Sequence, residues 1–133
     1  MAPEPTRTIH QEPATSGKAR VPYGERMTLK IGVGQQGQTG GSKVVLNGKV
    51  LYEGIDPADV PLGLIDDLDG ASVHITTTVT DLSNTHNNIN RKLEVVSGTP
   101  AVQRYLDERT KTVPNNGDSV VYDDFISLVA VLP

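Results

Sequence analysis

The chain of 133 residues contains no cysteine and no tryptophan, and its only phenylalanine is Phe125. The absence of cysteine excludes disulfides, thiolate metal sites and cysteine nucleophiles. The scarcity of aromatic side chains argues against a stacking platform for single-stranded nucleic acid or for sugar rings. The length is typical of one domain, and we expect a core made of Val, Leu and Ile.

Charge of one sign and long apolar runs are also scarce. The formal net charge is −4 and no run of like charges is long enough to act as a tail, which argues against nucleic acid and anionic membrane surfaces as main partners. The first twelve residues lack the apolar region of a signal peptide, and no apolar run approaches the roughly 20 residues that span a bilayer. A soluble cytoplasmic protein is therefore expected, with signal-independent export left open.

Residues 43–52 carry the strongest structural signal, because two apolar runs flank Asn47-Gly48. A two-residue type I′ turn needs positive φ at both central positions, and Asn followed by Gly tolerates this best. The sequence therefore predicts a β-hairpin here, with Lys43 and Lys49 at its ends to discourage uncontrolled edge pairing.

Other segments show the alternation or the apolar runs typical of strands. They are residues 27–33, 72–82, 91–96, 101–113 and 119–132. In residues 72–82, Val73, Ile75, Thr77 and Val79 share one face, and we expect a solvated opposite face. The strand over 101–113 is predicted to contain a bulge, and the apolar second half of 119–132 predicts a central or doubly covered strand. About seven strands with turns between them predict an all-β fold, a single antiparallel β-sandwich, with a small β-barrel as the alternative.

The remaining segments are expected to be irregular. Residues 1–24, which hold Pro3, Pro5, Pro13 and Pro22, are interpreted as a flexible N-terminal arm before a sandwich domain over 25–133. The alternative is that residues 21–23 pack on the domain or on a neighbouring subunit, since an extended arm can add to a sheet edge. Residues 34–42 are expected to form a flexible loop, and residues 56–59 a helical turn that Pro61 stops.

Two polar segments are candidate binding sites. Asp66, Asp67 and Asp69 are spaced as in some calcium loops, although Leu68 interrupts the pattern and no Glu follows. The second segment, residues 81–90, is expected to be a loop that could bind a sugar, a calcium ion or a protein; its candidate residues are Asp81, Asn84, His86, Asn87, Asn88 and Asn90. For both segments the alternative is a solvated turn without a ligand.

Catalytic patterns are absent from the sequence. The three histidines His10, His74 and His86 have no metal-ligand spacing. Asp123 and Asp124 are adjacent on a predicted strand and should point to opposite faces. Without a nucleophile elbow, we expect a protein that is not an enzyme and that needs no cofactor, calcium being the one alternative.

These observations favour a non-catalytic β-sandwich that acts by binding or assembly, through a protein partner or through self-association. The rival hypothesis is a small-ligand module that binds carbohydrate or calcium through loops 66–70 and 81–90. An enzyme would require a convergent polar pocket, which a sequence cannot show.

Overall fold

The alternating segments form strands in a computed structural model that describes residues 8–33, 38–81, 88–115 and 117–132. Across these residues there are ten strands and one short helix. In chain order they are β1 (Ile9–Gln11), β2 (Thr15–Pro22), β3 (Arg26–Val33), β4 (Gln38–Leu46), β5 (Lys49–Ile55), β6 (Ala58–Leu64), α1 (Ile65–Leu68), β7 (Ser72–Asp81), β8 (Asn88–Ser97), β9 (Val102–Thr112) and β10 (Ser119–Val131).

The strands make two packed sheets. Sheet A has the order β1-β10-β7-β4-β5, with β2 also paired to β10, and sheet B has the order β6-β3-β8-β9. Because β1 and β2 pair with successive parts of β10, they lie end to end, and sheet A is five strands wide. The predicted all-β sandwich is confirmed, and over the described ranges the sheets do not close into a barrel.

The hairpin prediction is confirmed at its turn. Asn47 has φ 51° and Gly48 has φ 76°, and they connect β4 to the antiparallel edge strand β5. Val44 pairs with Tyr52 but Val45 pairs with Val50, so Leu51 is an extra residue in β5. This β-bulge disrupts the outer edge of sheet A, as expected for an edge protected from further pairing.

The expected arm over residues 1–24 needs correction at β1 and β2. Residues 15–22 pair in parallel with β10 from Asp124 to Val131, and Ala19 and Val21 are fully buried. Strand β2 is difficult to predict because its sequence is mostly polar. It contributes only the small side chains of Ala19 and Val21 to the core. The alternative of packing on the domain describes Val21 correctly.

Two further segments expected to be irregular are strands. Residues 58–64 form β6 and not a helical turn, and Pro61 is accommodated because β6 is an edge strand of sheet B. Residues 38–42, expected to lie in a loop, form the start of β4, where Gly40 and Gly41 pair with Val79 and Thr78. Over the described part of the chain, no helix has both the length and the apolar character needed to cross a membrane.

The inward faces of the two sheets bury two hydrophobic clusters. The larger contains Leu29, Ile75, Leu93 and Ile126, and the smaller contains Val79, Ile89, Val113, Val120 and Tyr122. As predicted, Val73, Ile75, Thr77 and Val79 of β7 all point inward and are fully buried. The pairing of β8 with β9 skips Arg104, which confirms the predicted bulge in β9.

Candidate functional site

The acidic turn does not gather its carboxylates. Asp66 lies in α1, and its Oδ1 accepts a hydrogen bond from the Gly24 backbone N–H at 2.7 Å. Asp69 follows the helix, and its Oδ1 accepts one from the Ala130 N–H at 2.8 Å. Asp67 is exposed. Two of the three carboxylates therefore tie neighbouring segments to α1, and the described residues contain no cluster of three or more His, Asp or Glu side chains suited to a metal ion.

The second candidate segment is only partly a loop. Asn84, His86 and Asn87 lie outside the described residues, whereas Asp81 ends β7 and is fully buried. Asn88 and Asn90 belong to β8 and not to a loop. Asn88 Oδ1 accepts a hydrogen bond from Thr112 Oγ1 at 2.7 Å, and Asn90 Nδ2 donates one to Thr110 Oγ1 at 3.1 Å. These amides join β8 to β9, so the expectation that residues 81–90 form one loop is wrong at both ends.

The structure instead brings together a buried ionic cluster that sequence reasoning did not identify. Arg91 of β8 and Asp124 of β10 are both fully buried, and Arg91 Nη2 lies 3.2 Å from Asp124 Oδ1. Arg109 of β9 reaches the same oxygen at 2.8 Å, and Arg91 also pairs with Asp107 at 2.8 Å. The Thr15 hydroxyl of β2 donates to Asp124 Oδ1. The cluster therefore links β2, β8, β9 and β10 across the two sheets.

Tyr122 completes this cluster. Its ring centroid lies 4.9 Å from the guanidinium carbon of Arg91 and 5.0 Å from that of Arg109, within the range of cation–π attraction. Burial raises the pKa of the Tyr122 hydroxyl. Among the described residues its Oη, Asp124 Oδ2 and Arg91 Nε have no hydrogen-bond partner, although each is buried. Such groups in protein interiors are commonly satisfied by buried water.

A second polar group continues across the interior. The Ser42 hydroxyl donates to Asp56 Oδ2 at 2.8 Å and lies 3.0 Å from the Thr77 hydroxyl. Burial raises the pKa of Asp56, and the hydrogen bond from Ser42 opposes this. Ser42, Thr77 and Tyr122 are neighbours in register on β4, β7 and β10. Together with the ionic cluster they form a polar layer that separates the two hydrophobic clusters.

The ionic cluster is suited to holding strands in register. Its two guanidinium groups face two carboxylates, so its charges compensate each other inside the sandwich. Buried ion pairs add little net stability, but removing one partner is costly, and this can favour a single arrangement of strands. The signal in the sequence was the phase of the charged residues. Arg91 alternates with Ile89 and Leu93, and Asp124 with Tyr122 and Ile126, so both had to point inward.

The outer face of sheet A is the second candidate site. One row of side chains crosses four strands there: Val50, Val45, His74 and Phe125 are successive partners in register. Phe125 is 40% exposed and Val50 is 46% exposed. The His74 and Phe125 rings stack with centroids 4.3 Å apart and planes 8° apart. A row without Lys, Arg, Asp or Glu therefore faces outward across four strands of the sheet.

Asp123, next to this row, holds the orientation of His74. His74 Nε2 lies 3.0 Å from Asp123 Oδ1, which also accepts a hydrogen bond from the Thr76 hydroxyl at 2.8 Å. Gln11 donates to Asp123 Oδ2 at 2.9 Å. Burial opposes ionisation of Asp123, but these hydrogen bonds prevail and lower its pKa. As predicted, Asp123 and Asp124 lie on opposite faces of β10.

A shallow depression of about 380 Å³ lies on the same face. Its lining residues are Gly41, Ser42, Lys43, Glu53, Gly54, Thr76 and Thr78. A Cβ at Gly54 would lie 2.8 Å from Tyr52 Oη, and one at Gly41 would lie 3.3 Å from the Gly54 carbonyl oxygen. On the outer face, Gly41 has no side chain to fill the depression, and Lys43, Glu53 and two threonines surround it.

The outer face of sheet B is mostly charged. Lys30, Asp59, Lys92, Glu94 and Glu108 project from its four strands, and Lys30 and Asp59 form an exposed pair at 3.9 Å. Such ion pairs contribute little to stability. Both outer faces carry charged side chains, but the uninterrupted row without Lys, Arg, Asp or Glu across four strands lies on sheet A.

Comparison of the chain with protein-family models, with curated proteins and with solved structures gives no significant match. Its function therefore has to follow from the chemistry and geometry of its own residues.

Proposed function

We propose that this protein is a non-catalytic assembly module, which associates with a second copy of itself through the outer face of sheet A. The observation that carries the proposal is the row of Val50, Val45, His74 and Phe125 across the outer face of sheet A. This row contains no Lys, Arg, Asp or Glu and ends in the exposed Phe125 and Val50, and charged side chains surround it on the same face. Exposed aromatic and aliphatic side chains on one face are typical of protein–protein contact surfaces.

The size of the face supports this proposal. Sheet A is five strands wide, and its middle strand β7 is ten residues long. With strands about 4.8 Å apart and a rise of about 3.3 Å per residue, the face covers about 800 Å². A stable interface of ordinary size takes about 800 Å² from each partner. One face is thus large enough for a specific dimer.

The sheet edges favour contact through a face. The β5 edge is interrupted by the bulge at Leu51 and carries the exposed Lys49. The β9 edge directs Asp107 and Arg109 into the interior of the sandwich. Bulges, lysines and inward-pointing charges are devices that oppose the addition of another strand. Protection of the β5 and β9 edges disfavours strand addition there and supports association through the outer face of sheet A.

Sedimentation velocity of the full chain, from micromolar to near-millimolar concentration, tests the proposed function. We expect a monomer–dimer equilibrium whose dimer fraction rises with concentration. A chain that stays monomeric over the whole range would contradict self-assembly.

A further inference from the structure

We infer that Phe125 of each copy occupies the depression over Gly41 and Gly54 of the other copy, in two equivalent contacts. This inference rests on the proposed self-association and specifies its geometry. The protruding side chain and the recess lie on the same face, and each copy inserts its side chain into the recess of the other.

Phe125 has the properties of an interface anchor. It is 40% exposed, although phenylalanine is ordinarily among the more buried residue types. Its ring is held parallel to that of His74, and His74 is in turn held by Asp123. An aromatic ring with a fixed orientation loses little conformational freedom on binding, which is a property of binding hot spots.

The depression can receive such a ring. Its floor includes the backbone at Gly41, where an added Cβ would lie 3.3 Å from the Gly54 carbonyl oxygen, a tight contact. The hydroxyl-bearing Thr76 and Thr78 lie on one side, and Lys43 and Glu53 lie at the rim. A ring seated there would cover bare peptide groups and the methyl groups of the threonines.

The positions of the two features permit both contacts at once. Phe125 pairs with His74, and Gly41 pairs with Thr78, so they lie two strands and four residues apart. This separation is about 10 Å across the strands and about 13 Å along them, or about 16 Å in all. A twofold axis lying between the two faces exchanges the ring and the recess, with Thr76 near the axis. The contact closes on itself and produces a dimer.

One pair of opposite charges lies near the two contacts. The recess has Lys43 and Glu53 at its rim, whereas Asp123 lies beside the ring. The twofold axis leaves Asp123 of one copy about 8 Å along the face from Lys43 of the other, within the reach of the lysine side chain. Opposite charges that meet in this way favour one register of two faces over others.

The test is sedimentation equilibrium of the full chain and of single variants, with thermal melting to verify that each variant folds. We expect Phe125→Ser to raise the dimer dissociation constant at least about thirtyfold, as for loss of an aromatic hot spot. Leu106→Ser is the matched control, because Leu106 is 49% exposed on the outer face of sheet B. It should leave the dimer unchanged.

A charge-reversal pair tests the register independently. Lys43→Glu alone and Asp123→Lys alone should each weaken the homodimer, because like charges then meet at both contacts. An equimolar mixture of the two variants should regain a dimer, since each contact of the mixed dimer again joins a base to an acid.

The outcomes separate the inference from the proposed function. A monomeric wild-type chain contradicts both. A wild-type dimer that Phe125→Ser and Lys43→Glu leave intact overturns the inference but supports self-assembly. A dimer that Leu106→Ser disrupts equally, variants whose mixture does not recover, or an open-ended assembly would also overturn the twofold contact.

Discussion

The substitution Asp124→Asn tests whether the buried ionic cluster holds the two sheets together. Asp124 Oδ1 accepts from Arg91 at 3.2 Å, from Arg109 at 2.8 Å and from the Thr15 hydroxyl. Asparagine keeps the volume and a carbonyl oxygen but removes the charge, so two guanidinium groups would share Asp107. Removing one partner of a buried ion pair costs about 3–5 kcal/mol. Because Asp107 still pairs with Arg91, we expect a loss near the lower end of this range, about 3 kcal/mol of unfolding free energy.

The measurement is the free energy of unfolding from urea titration, together with the melting temperature Tm. For a domain of this size, about 3 kcal/mol corresponds to a fall in Tm of about 10 °C. The matched control is Asp59→Asn, which removes the same charge from the exposed pair with Lys30 at 3.9 Å and should cost less than about 1 kcal/mol. If Asp124→Asn cost no more than this control, the cluster would not hold the sheets as described.

A double-mutant cycle separates the cost of an unpaired charge from lost packing. Arg91→Met and Asp124→Leu should each be strongly destabilising, because each leaves a buried charge without its partner. Their combination should cost clearly less than the sum of the single changes. Additive losses would show that packing, and not charge compensation, determines the stability of this region.

Three other substitutions have definite expected effects. Gly48→Ala should lower the free energy of unfolding, measured by urea titration, by about 1 kcal/mol, because φ there is 76°. An added Cβ would meet no atom within 4 Å, so the whole cost would come from the backbone conformation. An unchanged stability would contradict the need for glycine. Burial raises the pKa of Asp56, so stability should fall as pH rises from about 4 through the folded-state pKa, and Asp56→Asn should abolish this slope. Hydrogen bonds from His10 and Thr8 lower the pKa of Asp118. Its carboxylate therefore contributes to folding stability above about pH 4, and this contribution should be lost as pH falls through the folded-state pKa. Asp118→Asn should flatten that acid-side loss in a series of melting curves, and an unaltered acid limb would contradict the assignment.

The regular part of the fold could be predicted because its signals are local. The Asn47-Gly48 turn and the alternation in β7 each specify structure within a few residues. Strand β2 could not be predicted, since only Ala19 and Val21 of its eight residues are buried apolar side chains and its partner β10 lies about a hundred positions away. Strand β6 was missed because Pro57 and Pro61 are ordinarily read as breakers, whereas an edge strand tolerates proline.

The candidate sites were less predictable than the fold because they depend on contacts between distant segments. Arg91 and Asp124 are 33 positions apart and meet only when the sheets pack. The segments predicted as possible ligand sites are rich in Asp and Asn. In the structure, however, Asp66 and Asp69 accept hydrogen bonds from backbone N–H groups of the chain itself. Polar residues in a turn serve the chain's own hydrogen bonding more often than a ligand.

The polar layer between the two hydrophobic clusters also bears on how the molecule opens. Along β10, Val120 and Tyr122 belong to the smaller cluster, Ile126 and Leu128 belong to the larger, and Asp124 lies between them. Regions with separate apolar cores can behave as separate cooperative units in native-state hydrogen exchange. The end of the sandwich around Val120 could thus exchange its amides through partial opening while the end around Leu128 stays closed. The ion pairs of Asp124 would then mark the boundary between two units within one domain.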